Sequence, residues 1–227
     1  YLFISNHRDI TMDPAFVNYV LHHAGYSTVR IATGDNLFKK PFVSDLMRLN
    51  KSFIVNSSLK GRELLQGLTL LSEYIHACIE QQHSVWIAQR EGRAKDGVDK
   101  TEAALLKMLA MNARKQPLSE SLKKLHVVPV SISYEYDPCG FLKAKEHLDK
   151  YADPNYKKTF HQDAEHLLLG IKGHKGNVHF HFEKPLFNRL EQLDEVPTNK
   201  EKLKLLAAII DRSIHLNYKL NPINYYA

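Results

Sequence analysis

Cysteine is nearly missing from these 227 residues: only Cys78 and Cys139 occur, far apart. Two distant thiols form neither a disulfide framework nor a metal-binding spacing, and they point to a reducing compartment. Long apolar runs are missing as well; nothing approaches the roughly 18 residues that a bilayer-spanning helix needs. There is no block of Lys and Arg and no basic stripe interleaved with aromatics, so nucleic acid is not an expected partner. The Gly-x-Ser-x-Gly turn that presents a nucleophilic Ser is absent. So are internal repeats and low-complexity segments. No initiator Met and no signal-peptide pattern open the chain, whose first residues already read as strand, so a longer parent chain is expected.

What is present is ordinary globular composition. A hydrophobic content of 44% suits one compact α/β domain with a sizeable core. The formal net charge of +6 fits an anionic partner, such as a phosphorylated metabolite, an acidic carrier protein or a membrane surface. Apolar runs at 1–5, 27–32, 52–55, 84–88 and 126–132 read as strands. Helices are expected between them: from Asp13 as N-cap, with Pro14 at the first helical position, to Gly25, and over 41–49, 61–82 and 100–113. This alternation implies an α/β fold, a mostly parallel central sheet with helices on both faces. After Tyr134 the pattern loosens. Residues 137–176 are rich in Lys, His and Asp, with one helix expected near 160–169; 177–183 alternates as a strand does, and 199–218 reads as a closing helix. The expected organisation is a single domain over 1–227, with an α/β core at 1–134 and a C-terminal extension at 135–227.

In open α/β sheets, ligands collect beyond the carboxyl ends of the strands. His7, Gly34-Asp35, Asn56 and Glu91 all fall just past expected strand ends. A His backed by a carboxylate, as in Asn6-His7-Arg8-Asp9 with Asp13 behind it, suits general-base catalysis: the acid fixes the tautomer and supports the imidazolium that forms. With no enzyme nucleophile evident, such a base would activate a hydroxyl of the substrate. The plainer account makes His7 a loop residue and Asp13 a cap. His-Arg-Asp also occurs in kinase catalytic loops, but Pro14 stands where their Asn belongs and no Asp-Phe-Gly follows. Lys39, Lys40, Arg48 and Lys51 surround Pro41-Phe42 and could neutralise a phosphate, or form a solvated face. In Glu91-Gly92-Arg93-Ala94-Lys95, Gly lets backbone N–H groups approach an anion, two cations add charge, and Glu91 can hold a cation or a hydroxyl. Pro129 sits in a strand, which requires a dispensable ladder bond. The lysines of 140–176 could meet anionic headgroups or only water.

Order says more than any single stretch. Asn6-His7…Asp13, then Gly34…Leu37-Phe38…Pro41-Phe42…Arg48 ending in Phe53-Ile54, then Glu91-Gly92, then Val128-Pro129-Val130, resembles the phospholipid/glycerol acyltransferase family. These are membrane-associated enzymes that include the lysophosphatidic acid acyltransferases. The matching blocks lie between residues 4 and 132. The resemblance implies an O-acyltransferase of phospholipid biosynthesis, moving a fatty acyl group from acyl-CoA or acyl-carrier protein to a hydroxyl of a glycerol-phosphate or lysophospholipid acceptor. It implies His7 as base and Asp13 as its partner, and acceptor binding by Arg48, Glu91, Gly92, Arg93 and Lys95. No metal and no cofactor beyond the acyl donor is implied. The implied location is the cytoplasmic side of a membrane, bound peripherally or through a segment outside this chain.

Three departures stand against the family pattern. Five residues rather than four separate His7 from Asp13, so Asp9 is an alternative partner. Asn56 replaces an Arg that commonly binds phosphate. Arg93 directly follows Gly92, and Ala94 takes the usual Arg position. They leave open an acceptor without phosphate, and a degenerate module that binds lipid or acyl carrier without catalysis.

Overall fold

The structure, a computed structural model, describes residues 1–35, 38, 41–56, 58–113 and 116–226. In chain order the elements are β1 (Leu2–Ser5), α1 (Met12–His23), β2 (Arg30–Gly34), α2 (Pro41–Leu49), β3 (Ser52–Val55), α3 (Gly61–Glu80), β4 (Val85–Ala88), α4 (Ala103–Leu109), α5 (Leu118–Lys123), β5 (Val127–Tyr134), α6 (Gly140–Ala152), α7 (Phe160–Lys172), β6 (Val178–Phe182), α8 (Phe187–Leu190) and α9 (Asn199–Leu216). One six-stranded sheet runs β3-β2-β4-β1-β5-β6. The first five strands are parallel and β6 closes antiparallel on β5.

β1 holds the middle of this sheet, between β4 and β5. A strand covered on both faces must be apolar at every position, and all four residues of Leu-Phe-Ile-Ser are buried. Leu2 and Ile4 point into a core built with Ile75 of α3, Leu106 of α4 and Ile210 of α9. Phe3 points the other way, to Val17 of α1, Trp86 and Val130. Each of these fully buried aliphatic side chains contributes about 1.5–3 kcal/mol. Pro129 is tolerated because its carbonyl accepts the Glu183 N–H at 3.0 Å just past the end of β6, so only the last reciprocal ladder bond is lost.

The expected boundaries shift where side chains intercept the backbone. Strand pairing begins at Arg30, not Ser27, because the Val29 N–H is taken by the Asn18 side chain at 2.8 Å. The helix expected over 100–113 starts at Ala103, because Asp211 holds both the N–H and the hydroxyl of Thr101. Asp13 is not an N-cap: α1 begins at Met12 after Thr11, and Pro14 is its third residue. The loosely patterned region contains a helix unforeseen in the sequence, α6, which buries Lys143 and Glu146 and exposes Phe141.

Candidate active site

β1 ends at Ser5, and the chain then winds around one carboxylate. Oδ2 of Asp13 accepts His7 Nδ1–H at 2.8 Å, Arg8 N–H at 2.6 Å and Asp9 N–H at 3.0 Å. Its Oδ1 accepts the Tyr134 hydroxyl at 2.7 Å. Burial works to raise the Asp13 pKa, but the bonds from His7, Asp9 and Tyr134 outweigh it and hold the carboxyl below its usual range. Tyr134 is driven far up, by its own burial first and then by the Asp13 charge, so it remains a donor. An ionised Asp13 requires Nδ1 of His7 to carry the proton, which leaves the lone pair of the neutral ring on Nε2. The His7 ring rests edge-on to Trp86, centroids 5.7 Å apart, and the Trp86 indole N–H is tied to Ser5.

The longer spacing is absorbed by Asp9. Its Oδ1 accepts Thr11 and Met12 N–H at 3.0 and 2.8 Å, closing a turn that starts α1. Asp9 therefore serves the backbone, and Asp13 meets the imidazole. The other Asp9 oxygen packs on α7 at Gly170, where a Cβ would lie 2.2 Å from it. Gly170→Ala gains about 1 kcal/mol of helix propensity. Forcing apart two packed groups costs about 2–3 kcal/mol, because Asp9 cannot swing away without releasing both N–H groups. We expect net destabilisation, read as a lowered Tm, where an exposed Gly in a helix would give the opposite sign.

A second shell of contacts fixes the loop to the C-terminal half. Asn6 donates to the Ile132 carbonyl and accepts its N–H, at 2.9 and 2.8 Å. Arg8 pairs with Asp99 at 2.6 Å, and both meet the Tyr218 hydroxyl. The Lys143 ammonium, on α6, donates to the Arg8 carbonyl at 2.6 Å and pairs with Asp137. Arg8, Tyr134, Tyr218 and Lys219 line an open cleft beside this network.

The loop after β4 meets the same place from the other side: Ala94 N–H donates to the His7 carbonyl at 3.3 Å. Gly92, at φ +70°, supplies a left-handed turn that other residues enter at a cost. Glu91 and Gly92 are exposed. Arg93 is buried, with Nη2 donating to Nδ1 of His166 at 3.1 Å and Nη1 without a partner among the described residues. Lys95 pairs with buried Glu146. Arg48 is exposed in the last turn of α2, and no hydrogen bond or ion pair among the described residues links it to His7 or to this loop. Lys39 and Lys40 lie outside the described residues. Tyr134, Lys143, Glu146, His166 and Tyr218 were not anticipated; the sequence clue to Tyr134 was its place at the end of an apolar strand.

His166 is buried beside cations. Desolvation first, then Lys158 and Arg93, lower its pKa to about 4, against weaker upward pulls from Glu146 and Asp163. Unfolding restores the ordinary value of 6.5. Between those values the unfolded chain binds the extra proton, so this contribution is complete above pH 6.5 and is lost as pH falls towards 4. The loss amounts to about 3 kcal/mol at most. His166→Gln, which keeps an acceptor for Arg93, is expected to flatten the decline in urea-unfolding stability over that window.

Comparison with known proteins adds the following. The family model described as Acyltransferase matches residues 1–133. The chain is 25% identical over 188 residues to a glycerol-3-phosphate acyltransferase of Alteromonas mediterranea, covering 82% of this chain and 21% of that protein. It is 28% identical over 208 residues to a glycerol-3-phosphate acyltransferase of Pseudoalteromonas atlantica, covering 90% and 24%. It thus spans less than a quarter of the length of these relatives. Among solved structures, the 1-acyl-sn-glycerophosphate (LPA) acyltransferase of Thermotoga maritima aligns with a TM-score of 0.45 and 16% identity over 97% of this chain and 68% of that one.

Proposed function

This chain belongs to the Acyltransferase family, and we propose that it moves a fatty acyl group from acyl-CoA or acyl-carrier protein to a hydroxyl of a glycerol phosphate or lysophospholipid. The observation that carries the mechanism is the His7–Asp13 hydrogen bond of 2.8 Å beyond the end of β1. The names of the two relatives support a glycerol-phosphate acceptor.

The chemistry follows from the ring. As the acceptor oxygen attacks the thioester carbonyl, Nε2 of His7 takes the hydroxyl proton, and Asp13 stabilises the imidazolium. Collapse of the tetrahedral intermediate forms the ester and expels the thiolate, which recovers the proton from His7. No acyl-enzyme intervenes. Backbone N–H groups near Glu91 are the proposed oxyanion donors. Arg93 is the favoured anchor for the acceptor phosphate, since Nη1 has no partner among the described residues and a guanidinium suits a phosphate. Glu91, Gly92 and Lys95 complete the proposed acceptor site. Arg48 joins only through a path that the described contacts do not trace. The proposed location is a membrane surface, on its cytoplasmic side, where a lysophospholipid acceptor would be met. No helix among the described residues is long and apolar enough to cross a membrane.

The test follows thiol release from long-chain acyl-CoA and acyl-carrier protein with glycerol 3-phosphate, lysophosphatidate and a hydroxylated lipid without phosphate, with products identified by mass spectrometry. Thiol release that requires a phosphate-bearing acceptor, with an ester product, is expected. Transfer to the phosphate-free lipid alone would replace the acceptor class, and no transfer from either donor would sink the catalytic reading.

A further inference from the structure

Arg93 carries a buried charge that no acid among the described residues answers. The residue is 8% exposed; Nη2 meets His166 on α7, itself 3% exposed, and Nη1 has no partner among the described residues. The acids that face His166 are Glu146 and Asp163, and both are committed to lysines. Glu146 pairs with Lys95, Lys150 and Lys158, and Asp163 pairs with Lys158. Three lysines and Arg93 thus stand against two carboxylates. A buried charge without a counter-charge is costly. In a native fold, a buried donor left without a partner marks a functional use, or an ion or water that completes it.

The partner that Arg93 does have is informative. A guanidinium only donates, so the Nδ1 of His166 that it meets is an unprotonated acceptor, and the ring is neutral with its proton on Nε2. Burial first, and then Lys158 and Arg93, keep it so by lowering its pKa to about 4. An Asp or Glu in this place would hold the guanidinium equally well, but it would also cancel the charge. A neutral ring aims the group and leaves the charge standing. α7 is itself well anchored. Thr159 and Gln162 close a capping box at its start, and the His166 carbonyl accepts the Cys139 thiol at 3.3 Å. Gly170, one turn after His166 on the same face, packs on Asp9. One face of α7 therefore braces both the loop that carries His7 and the loop that carries Arg93, and the two loops meet where Ala94 N–H donates to the His7 carbonyl. We propose that His166 is a positioning residue for the acceptor's phosphate: it aims Arg93 through a neutral nitrogen and leaves the guanidinium charge for the incoming anion. This rests on Arg93 as the phosphate anchor of the function proposed above, and it adds what holds that anchor in place and keeps it cationic.

The test compares wild type, His166→Glu, His166→Leu, His166→Gln and Arg93→Gln, each as the 227-residue chain. Two readouts are taken: steady-state acyl transfer to glycerol 3-phosphate, and thermal melts with inorganic phosphate against chloride at matched ionic strength. Phosphate is expected to raise the Tm of wild type above the chloride control. His166→Glu, which pairs with Arg93 and cancels its charge, should abolish that shift and raise KM for glycerol 3-phosphate about tenfold or more. Its kcat should stay within about threefold of wild type, because the lost contact binds the acceptor in the ground and transition states alike. His166→Leu removes the acceptor without adding a charge and should raise KM about fivefold or more; it carries the test if the Glu variant does not fold. His166→Gln offers Arg93 a neutral acceptor again and should bring KM and the phosphate shift back to within about threefold of wild type. The proposal is overturned if a folded Glu or Leu variant keeps the wild-type KM and phosphate shift. It is also overturned if Gln raises KM as far as Glu does, or if the loss falls on kcat alone. Failure of the underlying assignment shows separately, as an Arg93→Gln variant with the wild-type KM and phosphate shift. If wild type transfers no acyl group at all, the proposed function fails, and the melts still report whether Arg93 and His166 bind phosphate.

Discussion

His7→Ala is expected to lower kcat/KM for acyl transfer by about 10³-fold, within the 10²–10⁴ range of a lost general base, with little change in Tm. Two observations make the fold indifferent. The His7 side chain keeps 14% exposure, so its removal opens space to water rather than a sealed cavity. Asp13 keeps Arg8 N–H, Asp9 N–H and the Tyr134 hydroxyl as donors, so no buried charge is stranded. The loss should fall on kcat, because an alcohol that cannot give up its proton during attack binds as before and reacts slowly. His7→Gln should fare no better: it can hydrogen-bond, but it cannot accept a proton near neutral pH. Steady-state rates with a soluble acceptor, paired with thermal melts, check this. A variant within tenfold of wild type would mean that His7 is not the base, whatever its contact with Asp13.

The sheet was legible because its middle strands are covered on both faces, and Leu-Phe-Ile-Ser, Val-Trp-Ile-Ala and Val-Val-Pro-Val-Ser-Ile therefore read as apolar runs. The contact of His7 with Asp13 was legible despite its spacing, since both follow the central strand. What fixes that contact was not. The role of Asp9 depends on a turn only two residues long, and Asp13 looks like a cap from sequence because both uses call for Asp ahead of a helix. α6 stayed hidden for a different reason. Periodicity assumes that the apolar face is the buried one, and here the buried face carries Lys143 and Glu146. The residue types of Arg93 and Lys95 pointed to an anion; their pairing with His166 and Glu146 is long-range and leaves no local trace.

Asp13→Ala and Asp13→Asn should part company, and the difference measures what the carboxylate does. Ala removes the acceptor for the buried N–H groups of Arg8 and Asp9 and for the Tyr134 hydroxyl. With each stranded polar group costing about 1–3 kcal/mol, and some relief from entering water, the loss is about 3–5 kcal/mol. At this chain length that lowers Tm by about 10 °C. Asn has the same shape. Its carbonyl can stand at Oδ2 and accept from Arg8, Asp9 and His7, while its amide faces a Tyr134 hydroxyl that turns to accept. The stability loss should then shrink to about 1–2 kcal/mol, the difference between charged and neutral acceptors. Activity should not recover in step. Asn holds the ring but brings no charge to the imidazolium, so kcat is expected to stay about 10²-fold or more below wild type. Wild type should also lose this stabilisation as pH falls. The folded carboxyl sits below its unfolded value, so the contribution is complete above about pH 4 and disappears as pH drops through the folded pKa; Asp13→Asn should lack that acid-limb slope. If Asn restored both stability and rate, Asp13 would be a scaffold residue alone, and the charge that supports the imidazolium would have to come from elsewhere. A stable but slow Asn variant assigns the carboxylate two separable tasks, closing the 7–13 loop around one oxygen and supporting the charge that His7 acquires when it takes the acceptor's proton.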